Sequence, residues 1–207
     1  MEKIDTQVDG VCIIKSKIFF DERGFFSECL NLKDLGEIGL DFVPVQVNHS
    51  FNKAKGTLRG LHFQTRPFEQ AKIVTCLKGA IFDVAVNIIP ESKNFLRNVS
   101  CLILSPFVDE TILELETKIK CDYILKYPDK FFIPKGFAHG YLTLLPESEV
   151  LYFTDNFYSP ENDCVLRYND PQIAISWPNL ETDFILSIKD RNAPFVSEFD
   201  FSKLKKL

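Results

Sequence analysis

Alternation of hydrophobic and polar residues at a period of two is the dominant pattern along this chain. Residues 80–89 alternate throughout and follow a β-prone run at 72–77, with Lys78 and Gly79 between them. This arrangement predicts two strands joined as a hairpin. Further strands are predicted at 11–20, 43–51, 98–104, 111–126, 131–133, 140–145 and 149–155. Short strands separated by turn residues favour an all-β sandwich or barrel.

Helical spacing is confined to two short segments. In residues 31–39, Asn31 is a candidate N-cap before apolar residues spaced three apart, and 182–188 is a second candidate helix. The alternating strand–helix rhythm of a nucleotide-binding α/β fold is missing, and so is a Gly-rich phosphate loop. The sequence has no internal repeat and no Gly/Ser linker, so we expect one domain over residues 1–207.

Composition narrows the classes of function. The 207 residues include 24 Lys and Arg against 29 Asp and Glu, so the net charge is 24 − 29 = −5. This balance argues against a nucleic-acid binder that works through a broad basic surface. No apolar run approaches the roughly 20 residues of a membrane span. Six cysteines without a CxxC pair, and a start without an apolar signal core, predict reduced thiols in a cytoplasmic protein.

Three histidines are the first candidates for chemistry: His49, His62 and His139. A metal site on a strand would place two ligands two residues apart, but the positions concerned hold Gln64 and Phe137. No Gly-x-Ser-x-Gly motif supports a serine nucleophile. The residue pattern therefore predicts no metal site, and a structural role for any single histidine stays open.

Ordered sequence blocks carry a resemblance to one known family. The blocks are Asp21–Glu28, Gln46–Ser50, Gly56–Gln64, Gln70–Lys72, Gly79–Val86, Ile133–Gly140, Leu151–Tyr152, Tyr158–Pro160, Tyr168–Pro171, Ile175–Pro178 and Leu186–Asp190. In sequence and order they resemble the dTDP-4-dehydrorhamnose 3,5-epimerase family.

That resemblance implies a fold, a reaction and partners. The fold would be an all-β, cupin-like jelly roll with a few short helices, in a homodimer whose subunits exchange an N-terminal strand. The substrate would be a nucleotide-diphosphate sugar with a 4-keto-6-deoxy ring, inverted at C3, at C5 or at both, in deoxysugar biosynthesis. The family works without a metal or organic cofactor, and neither nucleic acid nor membrane is an expected partner.

Four residues match the family's proton-transfer machinery. His62 matches the base, because an imidazole has a suitable unperturbed pKa. Asp190 matches the carboxylate that orients this ring, with Asp170 as the alternative. Tyr152 matches the acid on the opposite face of the sugar. Lys72 matches the cation beside the developing enolate, whose negative oxygen needs a stabilising group.

A further set matches positions that hold the nucleotide and the sugar. Asp83 is a candidate for holding Lys72 in place. The set comprises Arg23, Phe26, Glu28, Gln46, Asn48, Arg59, His139 and Tyr158. By analogy with the family, Arg23, Phe26 and Glu28 come from the exchanged strand of the partner subunit.

The spacing of Arg59 and His62 makes a structural prediction. Residues three apart on a regular strand face opposite sides of the sheet. If both side chains contact one ligand, Gly60 must permit a bulge or bend between them.

Several departures from the family pattern leave the substrate open. The run after Asp83 reads Val-Ala-Val-Asn-Ile-Ile where the family has an acidic residue and an arginine, and residues 105–130 exceed the usual connection. Two alternatives to the epimerase therefore stand: a nucleotide-sugar 3,4-ketoisomerase, and a non-catalytic jelly roll that binds sugar nucleotides.

Overall fold

The architecture is a sandwich of two six-stranded sheets, seen in a computed structural model that describes residues 1–106 and 110–204. Besides the strands, these described residues form three helices, α1 (Leu32–Glu37), α2 (Glu110–Lys118) and α3 (Ile188–Arg191), and two 3₁₀ helices, Val196–Glu198 and Phe201–Leu204. The strands are β1 (Glu2–Asp5), β2 (Cys12–Lys15), β3 (Phe19–Asp21), β4 (Gly24–Phe26), β5 (Gln46–Asn52), β6 (Leu58–Gln64), β7 (Lys72–Lys78), β8 (Ala80–Asn87), β9 (Asn98–Leu104), β10 (Tyr123–Lys126), β11 (Lys130–Ile133), β12 (Phe137–Thr143), β13 (Ser148–Thr154) and β14 (Asp163–Val165).

Strand order defines two sheets and a separate hairpin. Sheet A has the order β1-β2-β11-β7-β13-β5, and sheet B has the order β10-β9-β8-β12-β6-β14. Strands β3 and β4 form a two-stranded hairpin outside both sheets. Neighbouring strands are antiparallel except β9 and β10, which are parallel. The predicted sandwich of short strands is confirmed.

The hydrophobic core lies between the two sheets. Alternate side chains of each sheet point inward, and Val74 and Val150 of sheet A meet Ile81 and Val99 of sheet B there. The outer face of sheet A is covered by α1 through Leu35. Segments that follow β14 cover the outer face of sheet B. Burying both faces explains why the central strands are apolar along nearly their whole length.

The predicted hairpin over residues 72–89 is wrong in its pairing. Strand β7 belongs to sheet A and β8 to sheet B, so the turn at Lys78 and Gly79 carries the chain from one sheet to the other. Gly79 has φ +78°, and a Cβ there would collide with Ser148. Both strands are strongly β-prone, but the periodicity of a strand does not specify its neighbour.

Two further element predictions need correction. The predicted strand 111–126 divides into helix α2 and strand β10. The helix is favoured by the Glu114–Lys118 ion pair at i, i+4 and by Leu115 and Ile119, which pack against the core at the same spacing. The candidate helix at 182–188 begins only at Ile188, after the Ser187 N-cap. The helix predicted at 31–39 is present as α1, capped by Asn31.

No helix within the described part of the chain is long and apolar enough to cross a bilayer.

Candidate active site

A cavity of about 460 Å³ opens between the two sheets and is lined by side chains of β5, β6, β7, β12 and β13. Both sheets contribute polar side chains to its wall. Nine of the twelve site residues predicted from the sequence line this cavity, and they are Gln46, Asn48, Arg59, His62, Lys72, His139, Tyr152, Tyr158 and Asp190.

Four of these residues form the cavity's two inner faces. His62 and His139 are direct partners across β6 and β12 of sheet B. Lys72 and Tyr152 lie on the inner face of sheet A, where Tyr152 pairs with Val74 two residues beyond Lys72. Side chains on facing sheets of a sandwich point toward each other. The two imidazoles therefore lie opposite the ammonium and the phenol.

Asp190 is the carboxylate that contacts His62. Nε2 of His62 lies 2.8 Å from Oδ1 of Asp190. Ser187, the N-cap of α3, donates its hydroxyl to Oδ2 of Asp190 at 2.8 Å and accepts from the Asp190 N–H. Asp170, the alternative partner, instead accepts from the backbone N–H groups of Gln172 and Val196 and so stabilises a turn.

The pKa of Asp190 is set by opposing effects. Burial raises the pKa of this carboxyl, but the contact with His62, the Ser187 hydroxyl and the charge of Lys189 outweigh burial and leave the pKa below its ordinary value. Asp190 is therefore ionised at neutral pH. An anion in this position orients the imidazole and stabilises its protonated form.

A second carboxylate approaches His62 from its other side. Oδ1 of Asp163 lies 3.9 Å from Nδ1 of His62. Oδ2 of Asp163 accepts from the Tyr158 hydroxyl at 2.9 Å and from Nζ of Lys189 at 2.5 Å. This residue ties β14 to α3, the helix that carries Asp190.

A second histidine–carboxylate pair lies beside the first. Nε2 of His139 is 2.6 Å from Oδ1 of Asp83, and both side chains are buried. Burial lowers the pKa of His139, while Asp83 opposes that shift. The sequence assigned Asp83 to Lys72, but the hydrogen bond goes to His139.

Lys72 is buried in the cavity wall. Burial lowers its pKa to about 8, against the opposing charges of Asp83 and Asp163. Tyr152 experiences the same desolvation, which raises the pKa of its phenol and keeps it protonated. The cavity thus holds a titratable cation and a neutral phenolic acid on one inner face.

The bulge predicted at Gly60 is confirmed. Between His62 and Arg59 strand β6 advances three residues, while β12 advances two, from His139 to Tyr141. Gly60 has φ +137°, and a Cβ there would lie 2.5 Å from Cα of Gly140. The bulge brings Arg59 and His62 to the same cavity.

Glutamine side chains fix the loop that carries Tyr158. Oε1 of Gln46 accepts from the Tyr158 N–H at 3.0 Å, and its amide donates to Asn48 at 2.8 Å. Gln64 donates to the Phe157 carbonyl and accepts from the Ser159 N–H. The Tyr158 ring, 55% exposed, consequently stands at the cavity rim.

The remaining three predicted residues do not line the cavity of their own chain. Arg23 and Phe26 are on the exposed β3–β4 hairpin, and Glu28 follows it. Arg23 pairs with Asp21, and Glu28 accepts from the Asn31 amide.

Sequence reasoning missed several lining residues. Ser50 continues the period-two alternation of Gln46 and Asn48 along β5, so that pattern was a usable signal. Ser187 and Asp190 have the spacing of a helix cap. Asp163 had no local signal, because pairing between β14 and β6 brings it to the cavity. The missed lining residues are Ser50, Phe63, Gln64, Gln70, Tyr141, Asp163 and Ser187.

Comparison with known proteins identifies the family. The family model for dTDP-4-dehydrorhamnose 3,5-epimerase matches residues 5–107 and 123–198. The chain belongs to the dTDP-4-dehydrorhamnose 3,5-epimerase family. A dTDP-4-dehydrorhamnose 3,5-epimerase from Escherichia coli is 41% identical over 191 residues, which are 92% of this chain and 91% of the relative. A Methanothermobacter thermautotrophicus relative of the same name is 39% identical over 91% of both chains.

Solved structures agree with this assignment. The 3,5-epimerase from Legionella pneumophila in complex with dTDP-4-keto-L-rhamnose has a TM-score of 0.83 and 37% identity, over 99% of this chain and 97% of that one. The Bacillus anthracis dTDP-4-dehydrorhamnose 3,5-epimerase with TDP and PPi bound has a TM-score of 0.80 and 34% identity, over 94% of this chain and 98% of that one.

Membership confirms the predicted cupin-like jelly roll and makes the protein an isomerase, an epimerase of nucleotide-linked 4-keto-6-deoxy sugars. The family model passes over residues 108–122, inside the long 105–130 segment noted in the sequence. Residues 107–109 of that segment lie outside the described residues.

Proposed function

We propose that this epimerase inverts both C3 and C5 of a dTDP-linked 4-keto-6-deoxy sugar, with His62 as the base and Tyr152 as the acid. The observation that carries the proposal is the arrangement of one cavity: His62 on sheet B lies opposite Tyr152 on sheet A. A sugar ring between the sheets would present one face to the imidazole and the other to the phenol.

The proton steps follow from the C4 ketone, which acidifies the C–H bonds at C3 and C5. His62 takes the proton from one carbon, and the C–H electron pair moves to form the enolate with its charge on the C4 oxygen. The electron pair then returns to carbon, which takes the Tyr152 proton from the opposite face. Solvent restores the imidazole and the phenol. Asp190 stabilises the imidazolium formed in the first step.

Lys72 is the group proposed to stabilise the enolate oxygen. It lines the cavity and is buried, so its charge acts in a low dielectric. His139 also lines the cavity, but its Nε2 is engaged by Asp83. At neutral pH Lys72 is largely protonated, since its pKa is about 8. A cation held beside the C4 oxygen would lower the barrier to proton removal.

The nucleotide assignment rests on the relatives. The Legionella relative was solved with dTDP-4-keto-L-rhamnose and the Bacillus relative with TDP and PPi. In this chain Arg59 offers a guanidinium fork for a diphosphate. The amides of Gln46 and Asn48 and the exposed ring of Tyr158 would contact the base and sugar at the rim.

A homodimer would complete the site. The β3–β4 hairpin exposes Phe19, Phe20 and Phe26 by 56%, 75% and 65%, and β5 is the last strand of sheet A. Exposed aromatic side chains on a protruding hairpin are typical of an intersubunit contact. Exchange of this hairpin would bring Arg23, Phe26 and Glu28 to the partner's nucleotide.

Incubation with dTDP-4-keto-6-deoxyglucose in D₂O tests the function. NMR of the products should show deuterium at both C3 and C5, with inversion at each. Deuterium at one carbon would restrict the enzyme to a mono-epimerase, and a ketone moved to C3 would instead indicate the ketoisomerase. No exchange would overturn the proposed activity on this substrate and favour a binding protein.

A further inference from the structure

Asn52, at the end of β5, is a buried amide whose hydrogen bonds converge behind the cavity wall. Asn52 is 2% exposed. Nδ2 donates to the backbone carbonyl of Ser148 at 3.1 Å, and Oδ1 accepts from Nε of Arg59 at 2.9 Å. The Tyr141 hydroxyl donates to the same oxygen at 3.4 Å.

The amide can be placed in only one orientation. A backbone carbonyl accepts and cannot donate, so the NH₂ group of Asn52 must face Ser148. Its oxygen consequently faces Arg59, whose guanidinium has donors only. Since Asn52 is also paired with Ser148 in the β5–β13 register, the backbone on both sides holds this oxygen in place.

The Gly60 bulge places Arg59 on the cavity side of β6, where its long side chain needs a contact that holds it in place. Arg59 is exposed, and a long exposed side chain loses much rotamer freedom when it is ordered. Of the nitrogens of its guanidinium, Nε is the one that donates to an acceptor among the residues that the structure describes. The bond restricts rotation of the guanidinium, and the two Nη groups belong to a side chain that lines the cavity.

We infer that Asn52 is a positioning residue that aims the Nη fork of Arg59 at the diphosphate of the substrate. The inference rests on the proposed function, in which Arg59 binds the diphosphate. Asn52 itself does not line the cavity, so it acts through Arg59. A fixed planar fork matches two phosphate oxygens at once, and preorganisation lowers the entropic cost of that contact.

Calorimetric titration with dTDP and with thymidine tests the inference in a double-mutant cycle. Asn52→Ala should weaken dTDP binding about tenfold, because a charge-assisted hydrogen bond is lost. Thymidine affinity should not change, since thymidine has no phosphate. Asn52→Leu removes the same polar atoms but fills the volume of the asparagine side chain. It should weaken dTDP binding to the same extent, and it replaces the alanine variant in the test if that variant is poorly folded.

The Arg59→Ala background separates positioning from general support of the fold. There, Asn52→Ala should have no further effect on dTDP affinity, as coupling through one contact requires. At saturating substrate, Asn52→Ala should keep the turnover number within about twofold while KM rises. Asn87→Ala is the matched control: it removes another buried amide, 3% exposed, with two local hydrogen bonds, and should leave dTDP affinity unchanged.

Two results would overturn the inference alone: equal losses from Asn52→Ala in both backgrounds, or no loss from Asn52→Ala while Arg59→Ala weakens dTDP binding. If Arg59→Ala itself leaves dTDP binding intact, the assignment of Arg59 in the proposed function fails, and the role of Asn52 fails with it.

Discussion

Two lysines are buried among the residues that the structure describes, and one of these two lines the cavity. Lys72 lines the cavity, whereas Nζ of Lys130 donates to the Ser16 hydroxyl at 2.9 Å and to the Pro128 carbonyl at 2.8 Å away from it. Burial lowers the pKa of each to about 8. Comparing Lys72 with Lys130 therefore separates the effect of a lysine's pKa on activity from the effect of its position.

Activity should fall as pH rises above about 8, the pKa of Lys72. The proposed role needs the ammonium, which is present below that pH and is lost above it. The pH profile of kcat/KM reports the free enzyme, so its basic limb should lie near this value. Lys72→Met should lower kcat/KM by about 10²-fold or more and abolish the limb.

Lys130→Met is the control for that profile, because Lys130 has a similar pKa and no place in the cavity. Its basic limb should stay where it is in the wild type. A limb that persists in Lys72→Met, or that disappears in Lys130→Met, would contradict the assignment.

Individual site residues were predictable where they lie inside a sequence block that resembles the family. His62, Lys72, Tyr152 and Asp190 all reach one cavity. Contacts between them were less predictable, because they depend on strand pairing. The bond from His139 to Asp83 arises from the β8–β12 register, which no local pattern encodes.

At the scale of elements, the bulge in β6 is the feature that assembles the site. Gly140 of β12 packs directly against Gly60, so the two strands approach each other without side chains between them. This close approach turns Arg59 and His62 toward the same side. The spacing of those two residues was enough to predict the irregularity.

Gly60→Ala should disrupt both stability and activity. The new Cβ would lie 2.5 Å from Cα of Gly140 and 2.9 Å from the His139 carbonyl oxygen, on a residue with φ +137°. We expect a destabilisation of about 3 kcal/mol or more and a large loss of turnover. Thermal denaturation and steady-state kinetics measure the two effects.

Gly36→Ala in α1 is the matched control, since a Cβ there meets no atom within 4 Å. It should stabilise the protein by up to about 1 kcal/mol and leave turnover unchanged. Equal stability of the Gly60→Ala and wild-type proteins would show that the bulge tolerates a side chain.

Element types were predictable where one period dominated. The strand at 98–104 has the predicted bounds as β9, and Asn31 caps α1. Residues 111–126 failed because Ile, Leu and Glu alternate there in a way that fits a strand, while i, i+4 contacts stabilise a helix over the first half. The β7–β8 hairpin failed because a turn sequence does not state which sheet the next strand joins.

For the whole molecule, the proposed exchange of hairpins predicts complementation between subunits. Chains with Arg23→Ala and Phe26→Ala would lack a functional hairpin, and chains with His62→Ala would lack the base. A mixed dimer would combine the intact cavity of the first chain with the intact hairpin of the second. Co-expression should therefore restore about a quarter of wild-type activity, since half of the dimers are mixed and each has one complete site.

Each variant alone should be nearly inactive, which provides the baseline. Activity of the co-expressed mixture that stays at this baseline, with mixed dimers verified by mass spectrometry, would mean that the hairpin serves its own subunit's site.

The central claim is that His62 and Tyr152 act on opposite faces of one sugar ring. Hydrogen exchange and inversion, followed together by NMR in D₂O, test it most directly. His62→Ala should lose both while still binding dTDP. Tyr152→Phe should still exchange protons from the His62 face, with retention of configuration, but should invert far more slowly. Exchange that persists in His62→Ala, or inversion at the wild-type rate in Tyr152→Phe, would contradict the account.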